Sequence, residues 1–331
     1  MSIYDPNRPV YGALDLGTNN CRLLMAVPDG EGFTVIDAFS RMTRLGEGLA
    51  ASGKLAPHAI ERTVAALKLC AQKLSRRGST VRVRAVATEA CRRAANYRDF
   101  IDRVRSETGL ELEVITPREE ACLAMEGCAP LLDRHPASAL VFDIGGGSTE
   151  LVHLVVEKDR SLRVETIDSL PLGVVTLAEQ CREGELDCAE GYETIVASAM
   201  EELRRFDRDG ALGVLAAAGG LQMLGTSGTV TTLGGIHLGL DRYDRSQVDG
   251  LTMGFDDIEA ISDRLLKATH QERCGFSCVG PERADLVVAG CAILAAIRRL
   301  WPTGSLRVAD RGVREGILLS MMRDDATGTP S

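Results

Sequence analysis

Three short apolar runs open the chain. VYGALDL (10–16) runs into GTNN, CRLLMAV (21–27) stops at DGEG, and FTVIDAF (33–39) follows. Strand, turn, strand, turn and strand predict a β-meander. From Pro57 to Leu74 the apolar residues Ile60, Val64, Leu67, Cys70, Ala71 and Leu74 keep helical spacing. VRVRAVAT (81–88) alternates with period two, as a half-buried strand does. Asn96 to Thr108 is an amphipathic helix closed by a turn at Gly109. LEVIT (112–116) is another strand, and PREEACLAMEGC begins a helix with Pro in its first turn. The order is βββαβαβα.

The pattern then restarts. ALVFDIGGGST (139–149) is a strand entering a Gly-rich turn, and ELVHLVVEKD (150–159) and RVETIDSLP (163–171) complete a second meander. Helices are expected near 189–207, then a strand at VLAAAGG or at its neighbour LQMLGTSGT, helices near 256–268 and 282–300, a strand at RVADRG (307–312), and a last helix from Val313 to Met322 with a frayed tail beyond. Two copies of one topology imply a duplicated α/β fold. GCAPLLDRHPAS, around 125–138, marks the boundary. The expected division is 1–126, 127–305, and a C-terminal strand and helix over 306–331 that packs back on the first domain.

The two Gly-rich turns share a construction: strand, Asp, apolar residue, Gly, then hydroxyl or amide residues. The first is Asp15-Leu16-Gly17-Thr18-Asn19-Asn20 and the second Asp143-Ile144-Gly145-Gly146-Gly147-Ser148-Thr149-Glu150. Gly allows a tight turn and close approach to a ligand. Backbone N–H groups and short polar side chains then form an anion-binding nest, and each Asp is placed to hold a divalent cation. Each is also an ordinary hairpin turn by composition. Dinucleotide binding is disfavoured, because a strand and not a helix follows each loop. Gly225-Thr226-Ser227-Gly228-Thr229 is a third small-residue loop, readable as a phosphate contact through Ser227, Gly228 and Thr229 or as a plain strand-to-helix turn. Glu119 and Glu120 sit where a helix begins; acidic residues favour the helix dipole there, and a carboxylate there also suits a general base. Arg22, Arg92 and Arg93 are either phosphate contacts or solvated surface residues.

Charge and composition narrow the class. A net charge of −9 over 331 residues argues against a nucleic-acid binder. No stretch has the roughly 18–20 apolar residues of a membrane span; the nearest, Ala284 to Leu300, is broken by Asp285, Gly290 and paired arginines. The start has no apolar run of signal-peptide form, and the ten cysteines lack disulfide-type spacing, so a cytoplasmic protein with reduced thiols is expected. Aromatic residues are only 4% of the chain, and no aromatic-rich base pocket is visible.

In order, DLGTNNCRLL (15–24), ATEACR (87–92), PREEA (117–121), FDIGGGSTEL (142–151), GTSGT (225–229) and GVREG (312–316) resemble the motifs of the exopolyphosphatase / guanosine pentaphosphate phosphohydrolase (Ppx/GppA) family, in its short two-domain form. The resemblance implies duplicated ribonuclease-H-like domains of the actin and sugar kinase superfamily, an active site in the interdomain cleft, a Mg2+-dependent reaction and a homodimer. By motif, Glu120 matches the catalytic base, Asp143 and Glu150 match acidic residues that position metal or water, Gly17, Thr18, Asn19, Gly145, Gly146, Gly147 and Ser148 match the phosphate loops, and Arg92 matches an arginine directed at phosphate. Glu89 and Arg311 depart from the family pattern. The expected activity is release of orthophosphate from the end of inorganic polyphosphate. The alternatives are hydrolysis of guanosine pentaphosphate (pppGpp), a small-molecule kinase, or an alarmone sensor without turnover.

Overall fold

A computed structural model describes residues 8–30, 32–77, 81–133, 135, 137–181 and 188–328. The chain divides into two compact units, residues up to Gly127 together with those from Val313 onward, and residues Cys128–Gly312.

In the first unit, β1 (Val10–Leu16), β2 (Asn20–Asp29), β3 (Gly32–Met42), β4 (Val81–Ala87) and β5 (Leu112–Val114) form a sheet in the order β3-β2-β1-β4-β5. The meander is antiparallel, and β1, β4 and β5 are parallel. β1 is covered on both faces, and its alternation divides it between two cores. Val10, Leu14 and Leu16 join Val64, Leu67 and Cys70 of the helix Pro57–Ser75, while Tyr11 and Ala13 meet Ile317, Leu318 and Met321 of the helix Val313–Thr327. Gly316 lets that last helix cross the helix Pro117–Cys128, since a Cβ there would overlap the Leu123 carbonyl.

The second unit repeats the plan. β6 (Ser138–Ile144), β7 (Thr149–Val156), β8 (Leu162–Leu170), β9 (Leu221–Thr226), β10 (Thr252–Gly254) and β11 (Ser305–Val308) run in the order β10-β11-β9-β6-β7-β8. Read from β8 through β11, this is the same meander followed by two parallel strands, with β10 added antiparallel at the edge. Both units therefore have the ribonuclease-H-like order, and the fold is a duplicated α/β one.

Several expectations change. Ala211–Ala217 is a helix, and the strand is the neighbouring Leu221–Thr226. The segment 306–331 is not one piece: β11 pairs with β9, whereas the helix Val313–Thr327 belongs to the first unit. The tail does not fray at Met322. Asp325 accepts a hydrogen bond from Tyr11 Oη (2.6 Å) and pairs with Arg82, which ties the helix to β1 and β4. Residues 1–7, where the leader expectation begins, and 329–331 at the end of the tail lie outside the described residues. Among the described residues no helix is long and apolar enough to cross a membrane.

Candidate active site

In each unit the candidate residues gather at the C-terminal ends of the parallel strands, where open α/β sheets bind ligands. Thr88 N donates to Leu16 O (3.1 Å) and Ile115 N to Ala87 O (3.1 Å). These bonds bring together the loop after β1, the short helix Glu89–Arg93 after β4, and the helix Pro117–Cys128 after β5. In the second unit, Asp143 and Thr226 are register partners, and Ala309 N donates to Gly225 O (2.9 Å). The ends of β6, β9 and β11 are thereby aligned in the same way.

The two hairpin loops are built alike. Gly17 N donates to Asn20 O and Gly145 N to Ser148 O, both at 2.9 Å. A segment after the third strand of each meander then takes up the loop's carbonyls. In the first unit Gly46 N donates to Thr18 O, and the Thr43 and Arg44 N–H groups donate to Asn19 O. In the second, Val174 N donates to Gly145 O (3.0 Å), Val175 N to Gly146 O (2.8 Å) and Thr176 Oγ1 to Gly147 O (3.5 Å). With their carbonyls engaged, the loops offer N–H donors, which is what an anion requires. Gly173 is obligatory in this packing: a Cβ there would lie 2.5 Å from the Gly146 carbonyl carbon and closer still to Gly146 O. Gly46 is pressed in the same way against the Thr18 methyl.

Thr18 and Asn19 are buried in the first loop, and Asn19 Oδ1 has no hydrogen-bond partner. Such an orphan acceptor calls for a ligand. Asn20 and Arg22 are partly exposed, and Arg22 is the register partner of Asp15. Burial pushes the Asp15 carboxyl above the usual carboxylate range, against the pull of Arg22 and Arg314, and Glu315 adds to the rise.

In the second unit Asp143 and Glu150 face each other across β6 and β7 as register partners. Glu150 is buried, and its Oε1 accepts from Ser148 Oγ (2.7 Å) and Ser169 Oγ (2.8 Å). Gly312 passes close by: a Cβ there would sit 3.8 Å from both Asp143 Oδ2 and Thr226 Oγ1. Ser227 opens its helix at φ +82°, a strained conformation for a side-chain-bearing residue, and a Cβ on Gly228 would meet nothing. The other two threonines have structural work. Thr149 is fully buried and donates to Leu172 O (2.5 Å), and Thr229 packs against Gly290.

The adjacent glutamates differ. Thr116 caps their helix, its Oγ1 accepting from Glu119 N (3.2 Å), with Pro117 in the first turn. Glu119 points to Arg84 on β4. Glu120 is buried, and its Oε2 accepts from Arg92 Nη1 (2.7 Å). Arg92 is no solvated arginine: besides Glu120 it holds Glu89 and Ile115 O.

A model of the Ppx/GppA phosphatase family matches residues 24–325. The chain belongs to that family. It is 31% identical over 326 residues to Exopolyphosphatase 2 of Mycobacterium tuberculosis, an alignment covering 93% of this chain and 97% of that protein. Among solved structures it resembles the Aquifex aeolicus Ppx/GppA family member at 30% identity and TM-score 0.76, covering 96% of this chain and 98% of that one. It also resembles an exopolyphosphatase-like protein at 29% identity and TM-score 0.85, covering 96% and 99%.

For a Ppx/GppA chain, the residues that sequence reasoning missed are those that set the loops from behind. Leu45-Gly46 and Leu172-Gly173 form a repeated dipeptide after the third strand of each meander, and that repetition is the signal that could have revealed them. Ser169, the second support of Glu150, carries no pattern of its own, whereas Arg314 and Glu315 beside Asp15 lie within the GVREG segment without having been singled out there.

Proposed function

We propose that this chain is an exopolyphosphatase: water attacks the terminal phosphorus of inorganic polyphosphate and orthophosphate leaves. The observation that carries the reading is the pair of hairpin loops whose carbonyls are taken up from behind, joined in the first unit by a buried carboxylate, Glu120, held on an arginine. N–H-lined loops bind phosphate oxygens, and a fixed carboxylate at a helix start orients and deprotonates water. Identity to a relative named exopolyphosphatase over nearly the full length of both chains supports the choice of substrate.

In this proposal Thr18, Asn19, Gly146, Gly147 and Ser148 bind phosphate, Gly17 and Gly145 close the two turns through their own N–H groups, and Ser227 and Gly228 serve at the third turn. Glu120 takes the proton from the attacking water. Among the described residues no group of three or more carboxylates, histidines or cysteines forms a ready metal cage. Mg2+ keeps several of its waters and uses one or two carboxylates together with substrate phosphate oxygens. Asp143 and Glu150, register partners with oxygen donors only, would hold it, and Asp15, the register partner of Arg22, is the corresponding acid of the first loop. When bound, the ion neutralises charge developing on the phosphoryl group. A cytoplasmic homodimer completes the proposal, and light scattering of the purified protein tests the dimer.

The test is orthophosphate release by purified protein with Mg2+, on long-chain polyphosphate and on guanosine pentaphosphate at matched concentrations. The proposal expects a large preference for polyphosphate and collapse of activity in chelator, restored by Mg2+. Preference for the pentaphosphate would make this an alarmone enzyme, and full activity in excess chelator would remove the metal.

A further inference from the structure

Arg92 sits on the short helix Glu89–Arg93, one turn after Glu89. Its Nε and Nη2 both bond Glu89 Oε2, at 3.2 and 2.9 Å, while Nη1 serves Glu120 Oε2 at 2.7 Å and Ile115 O at 3.0 Å. The three side chains are only 12–15% exposed. A guanidinium has five N–H donors, and these contacts take up four. The Nε–Nη2 edge, the fork that would grip a phosphate bidentately, is filled by Glu89. The trio carries one positive and two negative charges. Removing Glu89 would leave a neutral Arg92–Glu120 pair with its fork open.

We infer that Glu89 is a selectivity and positioning residue: it withholds Arg92 from substrate phosphate and keeps that guanidinium committed to orienting the Glu120 carboxylate. Glu89 acts as an internal anion that substrate must otherwise outcompete. Arg92 thus serves the base first, and the enzyme gives up substrate affinity for a fixed Glu120. The inference rests on the phosphohydrolase reading above.

The experiment compares the intact chain with Glu89→Ala, Glu89→Gln and the double variant Glu89→Ala/Arg92→Ala. Calorimetric titration with inorganic tripolyphosphate, in chelator to prevent turnover, reads affinity alone. Glu89→Ala should bind about tenfold tighter, the scale of one added charge-assisted contact, and the double variant should lose that gain. On polyphosphate with Mg2+, Glu89→Ala should lower both KM and kcat. Glu89→Gln, whose amide oxygen still accepts from Arg92, should keep most of kcat. A purely structural role for Glu89 would not produce that split. Unchanged or weaker tripolyphosphate binding in Glu89→Ala, or a gain that survives loss of Arg92, overturns the inference. Absence of phosphate release from the unmodified chain would defeat the proposed function instead, and the titration would still decide the role of Glu89.

Discussion

Substitution of Gly173 by alanine tests whether the second loop is shaped from behind. The added Cβ would fall 2.5 Å from the Gly146 carbonyl carbon and closer to Gly146 O and Gly147 C, all of them backbone atoms. No rotamer change relieves such a clash, so the loop itself must move. Overpacking of this kind costs about 1–3 kcal/mol of stability. A shift of about 1 Å in groups that position a substrate costs about 10²-fold in rate. The expected outcome is therefore a folded protein with a modestly lower urea midpoint and a kcat/KM for polyphosphate down about 10²-fold. Gly46→Ala is the internal control, because its obstacle is the side-chain methyl of Thr18. Thr18→Ser removes that methyl and should recover part of the loss in Gly46→Ala, whereas side-chain trimming should not rescue Gly173→Ala. Stability and steady-state kinetics of the four variants check this. Near wild-type activity in Gly173→Ala would refute the idea that the Gly145–Gly147 conformation matters to the reaction.

Glu120→Ala should lower kcat by about 10²–10⁴-fold, the usual weight of general acid–base catalysis, while calorimetry shows substrate still bound; normal phosphate release would remove Glu120 from the mechanism. Asp15 has a raised folded-state pKa, so its proton favours folding: that contribution is full below the unfolded value near 3.8 and fades as pH rises through the raised one. Asp15→Asn should therefore gain thermal stability over wild type increasingly from about pH 4 upward, and melting curves across pH that stay parallel would contradict it. Asp325→Ala, which loses the Tyr11 hydrogen bond and the Arg82 ion pair, should cost about 1–2 kcal/mol in urea unfolding; no loss would show that the last turn is not anchored.

Much of the fold is legible in the sequence because both sheets begin with meanders whose first turn is Gly-rich and whose first strand is largely apolar, with one Asp next to its last residue. Thr116-Pro117 reads as a helix start from residue types alone. β10 is not legible: three residues, Thr252 to Gly254, are too few for any periodicity. VLAAAGG misleads because a short apolar run suits a buried strand and a helix turn equally. At the candidate site, the loop residues are marked by local composition, but the partner that holds Glu120 is not. Arg92 lies 28 residues away, and only the parallel pairing of β4 with β5 brings their ends together. The same limit applies to Thr149 and Thr229. Their hydroxyls look like ligands in one dimension and are turned to Leu172 and Gly290 in three.

The most direct test of the central claim is hydrolysis of polyphosphate in H2(18)O with mass analysis of the first products. Attack of water on the terminal phosphorus predicts orthophosphate carrying a single solvent-derived oxygen and chains shortened by one unit. Unlabelled phosphate passed to an acceptor, or internal cleavage into long fragments, would contradict it.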